Sequence, residues 1–199
     1  MSEAKKPEAT PAAPAPDAWT KWVALSTTLL AVAAAFSTLK GGSYSTQTQL
    51  ATVSASNKWS YFQSKSLKQT ARETEREIIT VVAAGAANPE AKAVALASVA
   101  KIEKEIKRYD EEKAAIKLEA ETLDAKASYN QARGGNFGMA VMFLQIAIML
   151  SAIAALMKKK SFWLIGLVTG AVGVGYLTYA WALYPEFTPP PAKVAATSK

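Results

Sequence analysis

The densest chemistry in the chain lies in residues 55–69, ASNKWSYFQSKSLKQ, where Lys58, Lys65 and Lys68 are interleaved with Trp59, Tyr61 and Phe62. Wound into a helix, this stretch places Trp59, Phe62 and Ser66 on one face and Tyr61, Lys65 and Lys68 on another. The first face suits packing: Trp59 and Phe62 fill a seam against a second helix or a second copy, and the lysines are solvated or paired. The second face suits docking, because ammonium groups beside aromatic rings attract an acidic partner protein or anionic lipid headgroups. Packing is the plainer reading of a helical stripe, and neither face carries the groups that make or break a covalent bond.

Elsewhere the reactive side chains are scarce. The chain has no cysteine and no histidine, which removes thiolate nucleophiles, disulfides, the usual zinc sites, His-ligated haem and the commonest general base. Glu111 and Glu112 are adjacent and point in different directions, a poor general acid and base. No Gly-rich phosphate loop or EF-hand pattern is present. In RETEREI and KIEKEIKRYDEEK, opposite charges four apart, such as Lys101 with Glu105 and Glu103 with Lys107, describe a solvated helix face. The expectation is a protein without enzymatic activity, cofactor, metal or small-molecule substrate. The net charge of +7 does not imply nucleic acid as a partner, because lysines flank apolar segments or interleave with acids.

The elements that carry these residues follow from segregation: 50% of the residues are apolar and 20% charged, and the two kinds occupy different parts of the chain. Three stretches read as membrane spans. The first, 19–40, has its apolar run between Lys21 and Lys40, with Trp19 and Trp22 at headgroup level. Its basic lead and Ala33-Ala34-Ala35 also fit a cleaved signal peptide, but the long proline-rich lead and Asp17 favour an uncleaved anchor. The second, 137–157, is interrupted by Gln145 and stopped by Lys158, Lys159 and Lys160 in a basic loop, 158–161. The third, 162–184, is entered at Trp163 and closed by Tyr176, Tyr179, Trp181 and Tyr184. Its Gly166, Gly170, Ala171 and Gly175 form a packing face on which helix backbones approach closely among membrane lipids. Gln145 and the group Ser26, Thr27 and Thr28 are expected to hydrogen-bond between helices.

Three consecutive lysines in a short loop stay on the cytoplasmic side by the positive-inside rule, with Lys40 and Arg133 as weak dissent. Alternation then puts the N-terminus in the cytoplasm and both the middle region and the C-terminus outside it. The tails, 1–18 and 185–199, are rich in proline and alanine and are expected to be disordered.

The middle region, 41–136, reads as a helical hairpin with arms of about 43–84 and 89–132, each reaching on the order of 60 Å. Asn88 caps a helix whose first position is Pro89, Gly85 ends the preceding arm, and Gly134 and Gly135 break or bend the second. In the second arm Val99, Ile102, Ile106, Tyr109, Lys113, Ile116, Ala120, Leu123 and Ala127 alternate spacings of three and four, a coiled-coil seam spoiled by Lys113. Folding at Ala87 predicts Leu67 against Ile106, Ala71 against Ile102, Val53 against Ala120, Leu50 against Leu123, and Trp59 beside Ala114 and Ala115. The first arm is poor in apolar seam residues around Asn57, Ser60 and Ser64, which calls for oligomerisation or a partner.

Trp59, Tyr61, Phe62, Gln63, Lys65, Ser66 and Lys68, set between an alanine-rich N-terminal span and a closing pair of spans, carry a resemblance. The chain, apart from its tails, resembles a bacterial membrane family catalogued only as domain-of-unknown-function family 4337. Where that pattern has a second Tyr and an Ala, this chain has Phe62 and Ser64. The resemblance implies a bacterial inner-membrane protein and transfers no catalytic residue. The whole reading is an all-α, three-span inner-membrane protein. It acts as a scaffold, adaptor or accessory subunit, forming a homo-oligomer or docking another membrane or periplasmic protein. The alternative is an oligomeric channel or small transporter subunit, against which stands the lack of ionisable groups inside the spans.

Overall fold

Proline is absent from 17–88 and from 90–184, so nothing in those stretches removes a backbone donor or forces the chain out of helical geometry. The computed structural model, which describes residues 18–189, uses this freedom fully. Helix α1 runs Ala18–Gly85, α2 runs Pro89–Met157 and α3 runs Lys160–Thr178, followed by a wide π turn at Tyr179–Leu183. The protein is all-α, and three of its helices are long and apolar enough to cross a membrane. The disorder expected of 1–17 and 190–199 concerns residues outside those described.

The boundaries have local causes. At the start of α2 the Asn88 side-chain oxygen accepts from the Glu90 backbone N–H at 2.9 Å, while the Lys92 N–H reaches the Asn88 carbonyl at 3.1 Å. Pro89 occupies the first helical position, where its missing donor costs nothing. Between α2 and α3 the basic loop is tighter than the sequence implied: Lys158 takes the left-handed conformation (φ 53°) and α3 already begins at Lys160.

Two expected boundaries do not interrupt the helices. The pair Gly134-Gly135 was expected to break or bend the second arm, and the first arm to run from about Ser43. In the structure α2 passes through both glycines and α1 through Gly41 and Gly42 without interruption. Glycine costs a helix only about 1 kcal/mol relative to alanine, and long flanking helix repays that. Gly134 has a packing role instead: a Cβ there would lie 3.2 Å from the Tyr44 Cβ, so its absence lets α1 and α2 approach.

The described residues divide into two units. The apolar unit comprises 18–39 and Phe137–Trp181. Its interior is built from small side chains around a few large ones: Leu30 and Ala34 of α1 pack with Leu144 and Ala147 of α2. Gly166, Gly170 and Gly173 line the buried side of α3. A Cβ on Gly173 would sit 2.9 Å from Leu144 Cγ and 3.1 Å from the Leu144 backbone nitrogen. Such contact requires glycine, and it supplies the dispersion energy that holds helices together where the hydrophobic effect is weak. Rings close the same unit, with Phe143 stacked on Tyr176 at 5.7 Å and Phe36 tilted against Trp181 at 5.1 Å.

The placement of the expected small-residue face is therefore specific. Gly166 and Gly170 face inward with Gly173, whereas Ala171 and Gly175 are exposed. Of the expected hydrogen bonders, Ser26 is interhelical, accepting from Trp163 Nε1 at 3.1 Å, but Thr27 and Thr28 donate to the Val23 and Ala24 carbonyls of their own helix. Gln145 lies exposed on α2, not between helices of this chain as expected.

The charged unit comprises Lys40–Asn136 and residues 182–189. Here α1 and α2 run antiparallel, since successive partners ascend along one and descend along the other. Every position of the expected second-arm seam, from Val99 to Ala127, is buried or half-buried. On the first arm the expectation fails: Leu50, Val53, Leu67 and Ala71 are exposed, and Ala51, Ala55, Phe62 and Gln69 point inward instead. The register is displaced accordingly by about one helical turn. Trp59 does not rest on Ala114 and Ala115; its Nε1 donates to Asp124 Oδ2 at 2.9 Å.

Candidate interaction surface

The contact face of α1 carries charges that are paired across the helices. Lys58, Lys65 and Arg72, seven apart, pair across with Glu119, Glu112 and Glu105, also seven apart. Lys65 Nζ reaches Glu112 Oε2 at 2.6 Å and Arg72 Nε reaches Glu105 Oε2 at 2.9 Å. Seven residues are close to two helical turns, so a stripe of cations meets a stripe of carboxylates from Lys58 to Arg72. Glu105 is thus engaged across the helices by Arg72, a pairing that the spacing of four within α2 did not indicate.

Between the ion pairs lies a buried polar node. Gln69 donates through Nε2 to Glu73 and Asp110, both at 2.9 Å, and accepts from Lys113 Nζ at 2.9 Å. Lys113, the residue that spoiled the seam, is thereby satisfied, and its ammonium also lies 5.5 Å from the Phe62 ring centroid. A partnered buried polar group ties a helix pair to one register at some cost in stability.

The residues singled out from 55–69 divide between two environments. Trp59 and Phe62 are half-buried and meet edge to face at 5.8 Å. Lys65 belongs to the interhelical contact and not to a free docking face, since its ammonium lies on Glu112 and 5.4 Å from both the Tyr61 and Tyr109 rings. Tyr61 and Lys68 are exposed. The cationic docking surface expected of Lys58, Lys65 and Lys68 with Tyr61 is accordingly reduced to two members, since Lys58 is paired with Glu119 and Lys65 with Glu112. No group of three carboxylates is placed to hold a metal among the described residues.

Protonation follows this geometry. The hydrogen bond that Lys65 donates to Glu112 holds the Glu112 carboxyl below its ordinary value and raises Lys65 above its own. A depressed carboxyl contributes stability above its unfolded pKa of about 4.3 and loses it as pH falls through the lowered folded value. A raised lysine contributes fully below its unfolded pKa of about 10.4 and loses it as pH rises through the folded value. The thermal midpoint, followed by far-ultraviolet circular dichroism, is expected to be insensitive to this pair from pH 5 to 9. Either Glu112→Gln or Lys65→Met should shrink both limbs, because each removes the partner that shifts the other. Unchanged limbs in both variants would show that the pair adds nothing.

A second cluster was missed because the residues after 184 were read as a disordered tail. Tyr129 donates its hydroxyl to the Pro185 carbonyl at 3.0 Å and packs against Tyr184 and Phe187. Arg133 donates to the Tyr129 oxygen at 2.9 Å and lies over the Tyr44 and Tyr184 rings. The legible signal was Tyr184 and Phe187 flanking a proline, aromatic content that a solvated tail does not need.

The outward face of α1 is the most unusual surface of the charged unit. Leu50, Val53, Leu67, Ile78 and Val81 lie there, with exposures of 64%, 60%, 73%, 59% and 72%. They recur with Asn57, Ser60, Ser64, Ala71 and Thr74 at alternating spacings of three and four, so α1 carries two heptad stripes and α2 covers one.

These features define an all-α protein with three helices long and apolar enough to cross a membrane, and with an antiparallel helix pair tied by a heptad ladder of ion pairs. The chain belongs to the family described as domain of unknown function DUF4337, whose sequence model matches residues 19–183. No curated protein and no solved structure matches the chain.

Proposed function

We propose that this chain is a non-catalytic, three-span scaffold or accessory subunit of a bacterial inner membrane, which assembles with further copies of itself and docks a partner through a coiled-coil hairpin. The basic turn at Lys158, Lys159 and Lys160 is cytoplasmic, and so is the N-terminus; the hairpin and the C-terminus are periplasmic. The observation that carries the reading is the second heptad stripe of α1, on which five large apolar residues stand exposed at seam spacing. A solvated helix pair has no use for such a face, and a face with heptad spacing fits another helix. Exposed Gln145, in the apolar stretch of α2, points the same way, because an amide in lipid needs a partner from another chain.

The chain lacks cysteine, so single cysteines report contacts cleanly. Oxidation of Leu67→Cys in native membranes should give a disulfide-linked dimer. Ala55→Cys, buried between α1 and α2, should remain monomeric. No dimer from Leu67→Cys, Leu50→Cys or Val81→Cys would count against self-assembly through this stripe.

A further inference from the structure

Within the apolar unit α2 carries two stripes at the alternating three-and-four spacing of a helix seam. Phe137, Ala140, Leu144, Ala147, Ser151 and Ala154 form the first, and every one of them is wholly buried. Gly138, Met142, Gln145, Met149, Ala152 and Leu156 form the second, and every one is exposed, Met149 at 60% and Leu156 at 89%. The second stripe rises about 27 Å along the helix, close to the hydrocarbon thickness of about 30 Å. Near its middle stands Gln145, the only amide between Phe137 and Met157, whose side chain has no hydrogen-bond partner among the described residues. Its two donors and its acceptor are groups that neither lipid tails nor the aliphatic side chains around it can answer.

We propose that this second stripe packs on α2 of a second copy, parallel and in register, so that Gln145 meets Gln145. Copies inserted in one membrane share one orientation, and about a two-fold axis each stripe residue faces its own counterpart. The occupant follows from the complementarity of the amide: with donor and acceptor in one group, two glutamines can each donate through Nε2 to the other's Oε1. A cationic or carboxylate group from an unlike partner would answer only half of it, and a lipid tail none. The flanking residues suit a second helix, since a Cβ on Gly138 would have nothing within 4 Å and Met142 and Met149 are unbranched and adapt to the surface they meet. The contact rests on the self-assembly proposed above and adds to the outward stripe of α1 without replacing it.

The test uses the full chain in native membranes with Met149 replaced by the photoreactive p-benzoylphenylalanine. Irradiation should give a product of twice the 21.2 kDa chain mass, whereas the same group in place of Val168, exposed on α3, should give none. Gln145→Leu, which strands no partner within the chain, should keep the helical spectrum and weaken self-association by about 3- to 30-fold, the range of one interhelical hydrogen bond in a membrane. Gln145→Asn, which keeps the amide, should retain most of the association. Four results would each overturn the proposal: lipid adducts alone from the Met149 position, a product with a different protein, an equal yield from the Val168 position, or unchanged association of Gln145→Leu. Leu67→Cys distinguishes that failure from failure of assembly as a whole: if its disulfide-linked dimer still forms, only the contact along α2 is lost, and if it does not, self-assembly falls as well.

Discussion

Gly173→Val is expected to be among the most destabilising single substitutions in the apolar unit, lowering stability by about 1–3 kcal/mol. The new side chain would meet the Leu144 backbone nitrogen at 3.1 Å and the Ala140 carbonyl at 3.2 Å, neither of which can rotate away as a side-chain tip can. Helix α3 must then move off α2, with loss of the contacts at Gly166 and Gly170. Gly175→Val is the matched control, since a Cβ at Gly175 has nothing within 4 Å. Thermal unfolding in mild detergent should separate the two variants clearly. Equal midpoints would mean that α3 is not held as described. A selective effect of Gly175→Val on the mass of the assembly, with its midpoint unchanged, would place Gly175 in a contact between chains.

The double substitution Leu67→Glu with Ile78→Glu is expected to leave the helix pair folded and to abolish assembly. Both side chains are exposed in the single chain, Leu67 at 73% and Ile78 at 59%, so little intramolecular packing is lost. At an interface, each buried aliphatic side chain contributes on the order of 1.5–3 kcal/mol, and a carboxylate in its place adds a desolvation cost. Together they should raise the dissociation constant by at least about a hundredfold. Far-ultraviolet circular dichroism and native mass measured on the same sample separate loss of assembly from loss of fold. A double variant that assembles like the parent would remove the outward stripe from the account.

Much of the fold was legible because the responsible physics is local. Asn88-Pro89 marks a helix start through one cap bond and one missing donor, and the structure begins α2 there. The seam from Val99 to Ala127 was legible because α2 has only one apolar stripe at the right spacing. The first arm was not, because α1 has two. Apolarity favoured the stripe of Leu50, Val53 and Leu67, but the structure turns the other stripe inward, where Lys58, Lys65 and Arg72 meet Glu119, Glu112 and Glu105. The inward stripe is the one that matches the partner helix's charges, information that no window on α1 contains. The same limit hid the buried node at Gln69, whose three partners are split between the two helices. The glycines misled for a related reason: Gly134 looked like a helix breaker, and only the proximity of Tyr44 shows it to be a point of close approach.

The native mass of the complex, extracted in mild detergent or in native membrane discs with every co-purifying protein identified, tests the central claim most directly. The account predicts a mass well above that of one 21.2 kDa chain, made up of several copies or of a fixed ratio with a partner. A strictly monomeric chain with no companion protein would contradict it.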